Sequence, residues 1–136
     1  MDKGVGILKP VLKRHGFRYR TLGTGKGSGG VAAWGEFYKG NRRLELHFRR
    51  TLGLVTYHIT LSQDRAITHE DYMWSVIGRR YASEYPGFGE DPLSGFRDLA
   101  SDLSHYAGDF LKGSDTDFLR HFDRARELQE IRGRLP

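Results

Sequence analysis

The chain contains no cysteine, which excludes disulfides, thiolate nucleophiles and cysteine-ligated zinc and fits a reducing compartment. It also lacks any apolar run approaching the ~20 residues that a membrane span needs. Near the N-terminus Lys3, Lys9, Pro10, Lys13 and Arg14 interrupt the apolar residues, so no signal-peptide core forms there. These absences set the expectation of a cytoplasmic protein without a membrane partner. No internal repeat and no interdomain linker is visible. At 136 residues the chain has the usual size of one domain with one core, expected over 1–136. Its 38% hydrophobic and 29% charged residues are those of an ordinary globular protein.

Charge is unevenly spread. Residues 1–68 hold 13 Lys/Arg against 4 Asp/Glu, net +9, whereas residues 69–136 hold 9 against 13, net −4. A basic half can steer an anionic partner. The competing expectation is that the halves neutralise each other where they pack.

What the sequence does contain is strong alternation between Val31 and Leu61. Strand side chains point to opposite faces in turn. Val31, Ala33, Phe37, Leu44, Leu46, Phe48, Val55, Tyr57, Ile59 and Leu61 therefore share one face, and Trp34, Glu36, Glu45, His47, Arg49 and His58 share the other. Gly40-Asn41 is a two-residue hairpin signal, because primed turns need the positive φ that these residues tolerate. It pairs Lys39 with Arg42 and so sets Phe37 opposite Leu44, Ala33 opposite Phe48, Glu36 opposite Glu45 and Trp34 opposite His47. Centring the next turn on Leu52-Gly53 pairs Phe48 with Tyr57, Leu46 with Ile59, Leu44 with Leu61 and His47 with His58. A slip by one residue would bury the polar face and is disfavoured.

The flanking segments read as helices. Ile7, Leu8, Val11 and Leu12 have helical spacing over Val5 to His15, with Pro10 as a weak point. A strand over Phe17 to Leu22 and a flexible glycine-rich loop over 23–30 lead into the meander. Thr68 with Asp71 predicts a capped helix to about Tyr81, and 84–90 is a loop. Asp91 and Pro92 open a helix carrying Phe96, Leu99, Leu103, Phe110 and Leu111 that ends at Gly113. A last helix bears Phe118, Leu119, Phe122, Ala125 and Leu128. The fold class is α+β: an N-terminal helix, a four-stranded antiparallel meander and three C-terminal helices packed on the sheet.

No motif names a reaction. Gly25-Lys26-Gly27-Ser28-Gly29-Gly30 matches G-x-G-x-x-G, but a strand rather than a helix follows it, so it is no dinucleotide fingerprint. His47 and His58 with Glu45 offer imidazole and carboxylate ligands for a divalent ion, in no recognised metal spacing, and no cofactor is expected. Glu36 opposite Glu45 is either a carboxylate pair fit for acid/base work or a like-charge pair relieved by a cation such as Arg43. Trp34 and Tyr38 among Arg18, Arg20, Arg43 and Arg49 form an aromatic and cationic surface of the kind that stacks unpaired bases. The aromatics of Tyr85-Pro86-Gly87-Phe88 either make a binding tip or fold back on the core.

The opening Leu8-Lys9-Pro10-Val11-Leu12-Lys13-Arg14-His15-Gly16-Phe17, followed by a strand, a glycine-rich break, an antiparallel meander and acidic helices, resembles small bacterial α+β families of unknown function, some associated with toxin–immunity systems. The resemblance implies a protein-binding role and carries no catalytic residues. The sequence thus points first to a non-enzymatic protein-binding or immunity-like module using Trp34, Glu36, Glu45, His47, Arg49 and His58. A small enzyme or metal-binding protein with a His/Glu site on that face, and a nucleic-acid binder, are the alternatives.

Overall fold

The computed structural model describes residues 1–27, 30–78, 83–87, 89 and 91–133. Five antiparallel strands lie in sequence order, β1 (Arg18–Gly27), β2 (Gly30–Lys39), β3 (Arg42–Arg49), β4 (Thr51–Thr60) and β5 (Asp64–Thr68). Before them comes α1 (Asp2–Lys13), and after them α2 (His69–Ile77), α3 (Ser94–Tyr106), the short α4 (Gly108–Leu111) and α5 (Asp115–Gly133). The α+β class and the antiparallel meander stand. The meander has a fifth strand, and the long helix expected from Asp91 to Gly113 begins at Ser94 and breaks at Ala107. Pro10 is accommodated within α1, and its exposed position places the ring in solvent.

The β2–β3 register is the expected one at every pair, including Glu36 with Glu45 and Trp34 with His47. Gly40 at φ 55 makes the turn, as a primed turn requires. The β3–β4 register differs. The turn falls at Arg50, φ 65, not at Leu52-Gly53, so Leu44 meets Tyr57 and Arg43 meets His58. His47 and His58 are therefore not opposite each other. The pairing also jumps from Leu46 with Val55 to Phe48 with Leu52, which leaves an extra residue on β4. That bulge lets Leu52 and Val55, three residues apart, both turn inward, and both are buried. Relative to the expected pairing the shift is four residues at Leu44 and Leu46, an even number, and the bulge absorbs the extra residue at Phe48, so the two faces keep their members. Leu61 lies beyond the end of β4 and is 47% exposed.

The glycine-rich segment is strand rather than loop up to Gly27, with Ser28 and Gly29 outside the described residues. A bulge at Thr21/Gly23 brings Gly23 beneath the Trp34 indole, where a Cβ would clash with the ring. The absent side chain at 23 is what allows the close approach.

Helices pack on the apolar face. Phe37, Leu44, Leu46, Tyr57 and Ile59 are fully buried, and ring pairs Tyr57–Tyr72 at 4.7 Å, Tyr57–Phe110 at 4.8 Å and Phe48–Phe96 at 5.8 Å tie strands to α2, α4 and α3. Thr68 Oγ1 accepts from Asp71 N at 3.2 Å, the anticipated cap of α2. This helix ends at Ile77 with Gly78 in the left-handed cap, and the expected end at Tyr81 lies outside the described residues. One charged residue belongs to the apolar set. Arg42, 5% exposed, donates to the carbonyls of Asp109 (2.8 Å), Phe110 (2.7 Å) and Gly113 (2.6 Å) and to Asp115 (3.1 Å). A buried guanidinium is tolerated when its donors are used, and here they satisfy carbonyls freed between α4 and α5.

The two faces predict a contrast within β3. Leu46→Ala should cost about 2–5 kcal/mol through the cavity it leaves, and Arg49→Ala should stay within about 0.5 kcal/mol because that side chain is exposed. Chemical denaturation of both variants checks this, and equal losses would show that the second face is covered as well.

Candidate functional site

On the face away from the helices the polar side chains bind one another in a continuous ladder across the strands. Glu36, 1% exposed, accepts from Arg20 Nε at 2.7 Å and from Arg43 Nη1 at 3.0 Å. Arg43 Nη2 continues to Asp64 at 3.0 Å. Asp64 meets His58 Nδ1 at 2.8 Å and accepts from Thr60 Oγ1 at 2.9 Å. Glu45 lies between the two histidines, 2.6 Å from His47 Nε2 and 3.4 Å from His58 Nε2. Trp34 closes the row, its ring stacked on His47 at 6.5 Å and 10°. Among the described residues the hydrogen bonds of this ladder all end on other residues of the sheet.

The expected site residues are thus all on one face, with one correction in their relations. His47 and His58 do not face each other: His47 is hydrogen-bonded to one oxygen of Glu45, and the other stands 3.4 Å from His58 Nε2, which is buried without a hydrogen-bond partner among the described residues. Glu36 and Glu45 are opposite, and the pair is relieved as anticipated by Arg43, and by Arg20 as well. Glu36 is thereby flanked by two guanidinium groups. Arg49, on the same side of β3, is exposed and has no carboxylate partner among the described residues, and the same holds for Arg18. Beside Arg49 a depression of about 420 Å³ is lined by Trp34, His47, Phe48, Arg49 and Thr51, among others.

The electrostatics of this face are little neutralised by the helical half. Among the described ion pairs only Arg42–Asp115 crosses between residues 1–68 and 69–136. The expectation that the halves cancel where they pack is therefore not met by ion pairing. Within the ladder, desolvation raises the Asp64 carboxyl, but hydrogen bonds from His58, Arg43 and Thr60 outweigh it and hold the group below its usual value.

Two further polar clusters were not anticipated. Tyr57, His69 and Asp102 form a buried chain, Tyr57 Oη to His69 Nδ1 at 2.7 Å and His69 Nε2 to Asp102 at 2.8 Å. Asp102 also accepts from the backbone N–H groups of Glu84 and Tyr85, both at 2.9 Å. With Asp102 as acceptor, His69 donates from Nε2 and accepts the tyrosine proton at Nδ1. Burial drives the Tyr57 hydroxyl well above its usual pKa, helped by Tyr72 and Asp102, which keeps it a donor. Both imidazole nitrogens are occupied. A neighbouring depression of about 350 Å³ that reaches His69 meets no free base, and the chain serves to pin loop 83–87 to α2 and α3. Tyr85 accordingly folds inward, 7% exposed, and donates to the carbonyls of Leu52 and Gly53; its loop is no exposed aromatic tip, and Phe88 lies outside the described residues.

The second cluster has the partners of a nucleophile relay. Ser75 Oγ is 2.7 Å from His121 Nδ1, and His121 Nε2 is 2.7 Å from Asp109. Catalysis would need a substrate cleft and converging donors for an oxyanion. The array joins α2, α4 and α5. The sequence signal for both clusters was a polar residue on a buried helix stripe, Asp102 between Leu99 and Leu103 and His121 beside Phe118 and Phe122. Their partners are 33 and 46 residues distant, beyond any local spacing.

Compared with known proteins, the chain matches no family model, no curated protein and no solved structure. Among the described residues no group of three or more His, Asp or Glu side chains is arranged to hold a metal ion, and no helix is long and apolar enough to cross a membrane.

The Asp64 bonds predict a pH signature. A carboxyl whose folded pKa is depressed stabilises the fold above its unfolded pKa, and loses that contribution as pH falls through the folded value. Asp64→Asn should therefore cost less than about 1 kcal/mol at pH 7, since the side chain is 41% exposed and exposed pairs are screened. The difference from the parent should begin to shrink below about pH 4, the region of an unfolded aspartate, and go on shrinking as pH falls through the folded value. Denaturation at pH 7 and pH 3 measures it; an undiminished difference at pH 3 would show that the carboxyl stabilises by some route other than its charge.

Proposed function

We propose that this protein is a non-enzymatic module that docks a partner protein on the polar face of its sheet. The observation that carries the reading is the one-sided packing: the helices occupy the apolar face, and the opposite face presents Trp34, His47 and Arg49 around a depression of about 420 Å³. Most donors and acceptors of the charged ladder behind them bind within it, His58 Nε2 being the buried atom left without a hydrogen-bond partner among the described residues. Much of this surface is therefore ordered before a partner arrives, which lowers the ordering cost of association. Tryptophan and arginine are the side chains that most often anchor protein interfaces. The unpaired Arg18 and Arg49 and the net +9 of residues 1–68 favour a partner with an acidic surface. An immunity-like role, in which a small cytoplasmic protein masks an acidic region of its target, is the form of this reading that the opening segment suggests.

A metal or acid/base site on the same face draws less support, because Glu45 stands between the two imidazoles and is hydrogen-bonded to His47 at 2.6 Å. The aromatic and cationic composition that suggested nucleic acid is present, but Arg20 and Arg43 are both spent on Glu36. That leaves few cations for a phosphate chain.

The test compares surface variants as baits for a cross-linked partner from cells of the source organism, followed by reconstitution with that partner purified. Trp34→Ala and Arg49→Glu should each weaken binding about tenfold or more, while Arg120→Glu on the exposed side of α5 leaves it unchanged. Equal retention by all three would remove the polar face from the reading. Salt-dependent oligonucleotide binding that Arg49→Glu abolishes would replace the protein partner with nucleic acid.

A further inference from the structure

A second surface lies at the sheet edge, away from the Trp34 depression. β5 has a neighbour on one side only, so its outer backbone groups face no strand. Alongside it runs a trough of about 390 Å³, walled on one side by Arg65, Ala66, Ile67 and Thr68 and on the other by α5. Successive strand residues alternate between faces, and four consecutive ones can line a single trough only if it opens along the edge of the strand. The α5 wall is Phe122, Ala125, Arg126 and Gln129, the spacing of one helical stripe.

The chemistry of the trough is specific. Phe122 and Ala125 are buried apolar residues and give it a floor. Arg65 lies over the Phe122 ring at 4.9 Å, and Arg126 is exposed beside it. Neither guanidinium has a carboxylate partner among the described residues. The one acid in the lining is Asp71, which accepts from Gln129 Nε2 at 2.9 Å. Arg65 pairs with Ile59 and so lies on the helix-covered face, the side on which α5 stands. Two unneutralised arginines and an apolar floor on that one side suit an extended segment whose trough-facing side chains, every second residue, are by turns acidic and apolar. Its backbone would pair with β5, its apolar residues would meet Phe122 and Ala125, and its carboxylates would meet Arg65 and Arg126. A second copy of this chain fits poorly, since the other sheet edge, β1, brings Arg18 and Arg20 toward the same cations.

We propose that the β5–α5 trough captures an acidic extended peptide segment of a partner protein as a sixth strand of the sheet. β5 spans about 16 Å at ~3.3 Å per residue, room for a segment of its own length. The proposal does not depend on the polar face being a docking surface.

The experiment uses the full chain and two fluorescein-labelled octapeptides: a Glu/Val peptide, with Glu and Val by turns at the odd positions and Thr at the even ones, and a Glu/Pro peptide of the same charge in which each Thr is replaced by Pro, which cannot donate to a strand ladder. Fluorescence anisotropy should show the Glu/Val peptide binding about tenfold or more tightly than the Glu/Pro peptide. Amide exchange of β5 should slow when it binds, and Arg126→Glu should weaken it about tenfold. Arg65→Gln, which keeps the side chain polar and removes its charge, should weaken it as well and guards against a folding defect in the first variant. Equal binding of both peptides, unchanged β5 exchange, or no Glu/Val binding at millimolar concentration would each overturn the proposal. So would a loss caused by Arg49→Glu in place of Arg126→Glu, which would move the acidic peptide to the polar face.

Discussion

Everything in this fold follows from a sheet whose strands show apolar side chains to one side only. Five helices then have a single face on which to bury their stripes, and the other face is left to charged groups that must find partners among themselves. Arg42 is the exception that fits the rule. It stands on the buried face, 5% exposed, and is tolerated because its donors reach three carbonyls between α4 and α5. Without those acceptors the same guanidinium would be an unpaired buried charge, among the costliest groups a core can hold.

The parts of this arrangement that were legible in the sequence are those set by local rules. Alternation assigned the faces, and Gly40-Asn41 fixed the β2–β3 register residue by residue, since a two-residue turn admits one pairing. The β3–β4 register was misread because Gly53 looked like a turn and is part of a bulge. The chain in fact reverses at Arg50, a residue type with no preference for the φ of 65° it adopts. β5 escaped notice because Ile67 is its one buried side chain, too little for a periodic signal. The glycines after Leu22 were read as loop because they have no side chains to pack. Gly23 belongs to a strand for that very reason, the Trp34 ring filling the space.

The candidate site was legible in membership and not in wiring. Trp34, Glu36, Glu45, His47, Arg49 and His58 do share a face, but which of them bind each other depended on the register and on Asp64 and Arg20, which come from strands read differently or not at all. The resulting ladder alternates basic and acidic side chains from Arg20 to His47, and paired charges such as Arg20–Glu36 and Arg43–Asp64 contribute little long-range field. The field of the basic half comes instead from arginines outside the ladder. With a single described ion pair crossing to the acidic helical half, those arginines remain available to steer an anionic surface toward the sheet.

The central claim is that the Trp34 face is open while the opposite face is sealed by helices, and the two tryptophans report on the two environments. Trp34 lies on the polar face, and Trp74 in α2 is 8% exposed. Acrylamide quenching of fluorescence in Trp74→Phe, which leaves the half-buried Trp34, should be clearly stronger than in Trp34→Phe, which leaves the buried Trp74, where it should be weak. Equally weak quenching in both variants, with circular dichroism unchanged, would mean that something covers the polar face and would contradict the account.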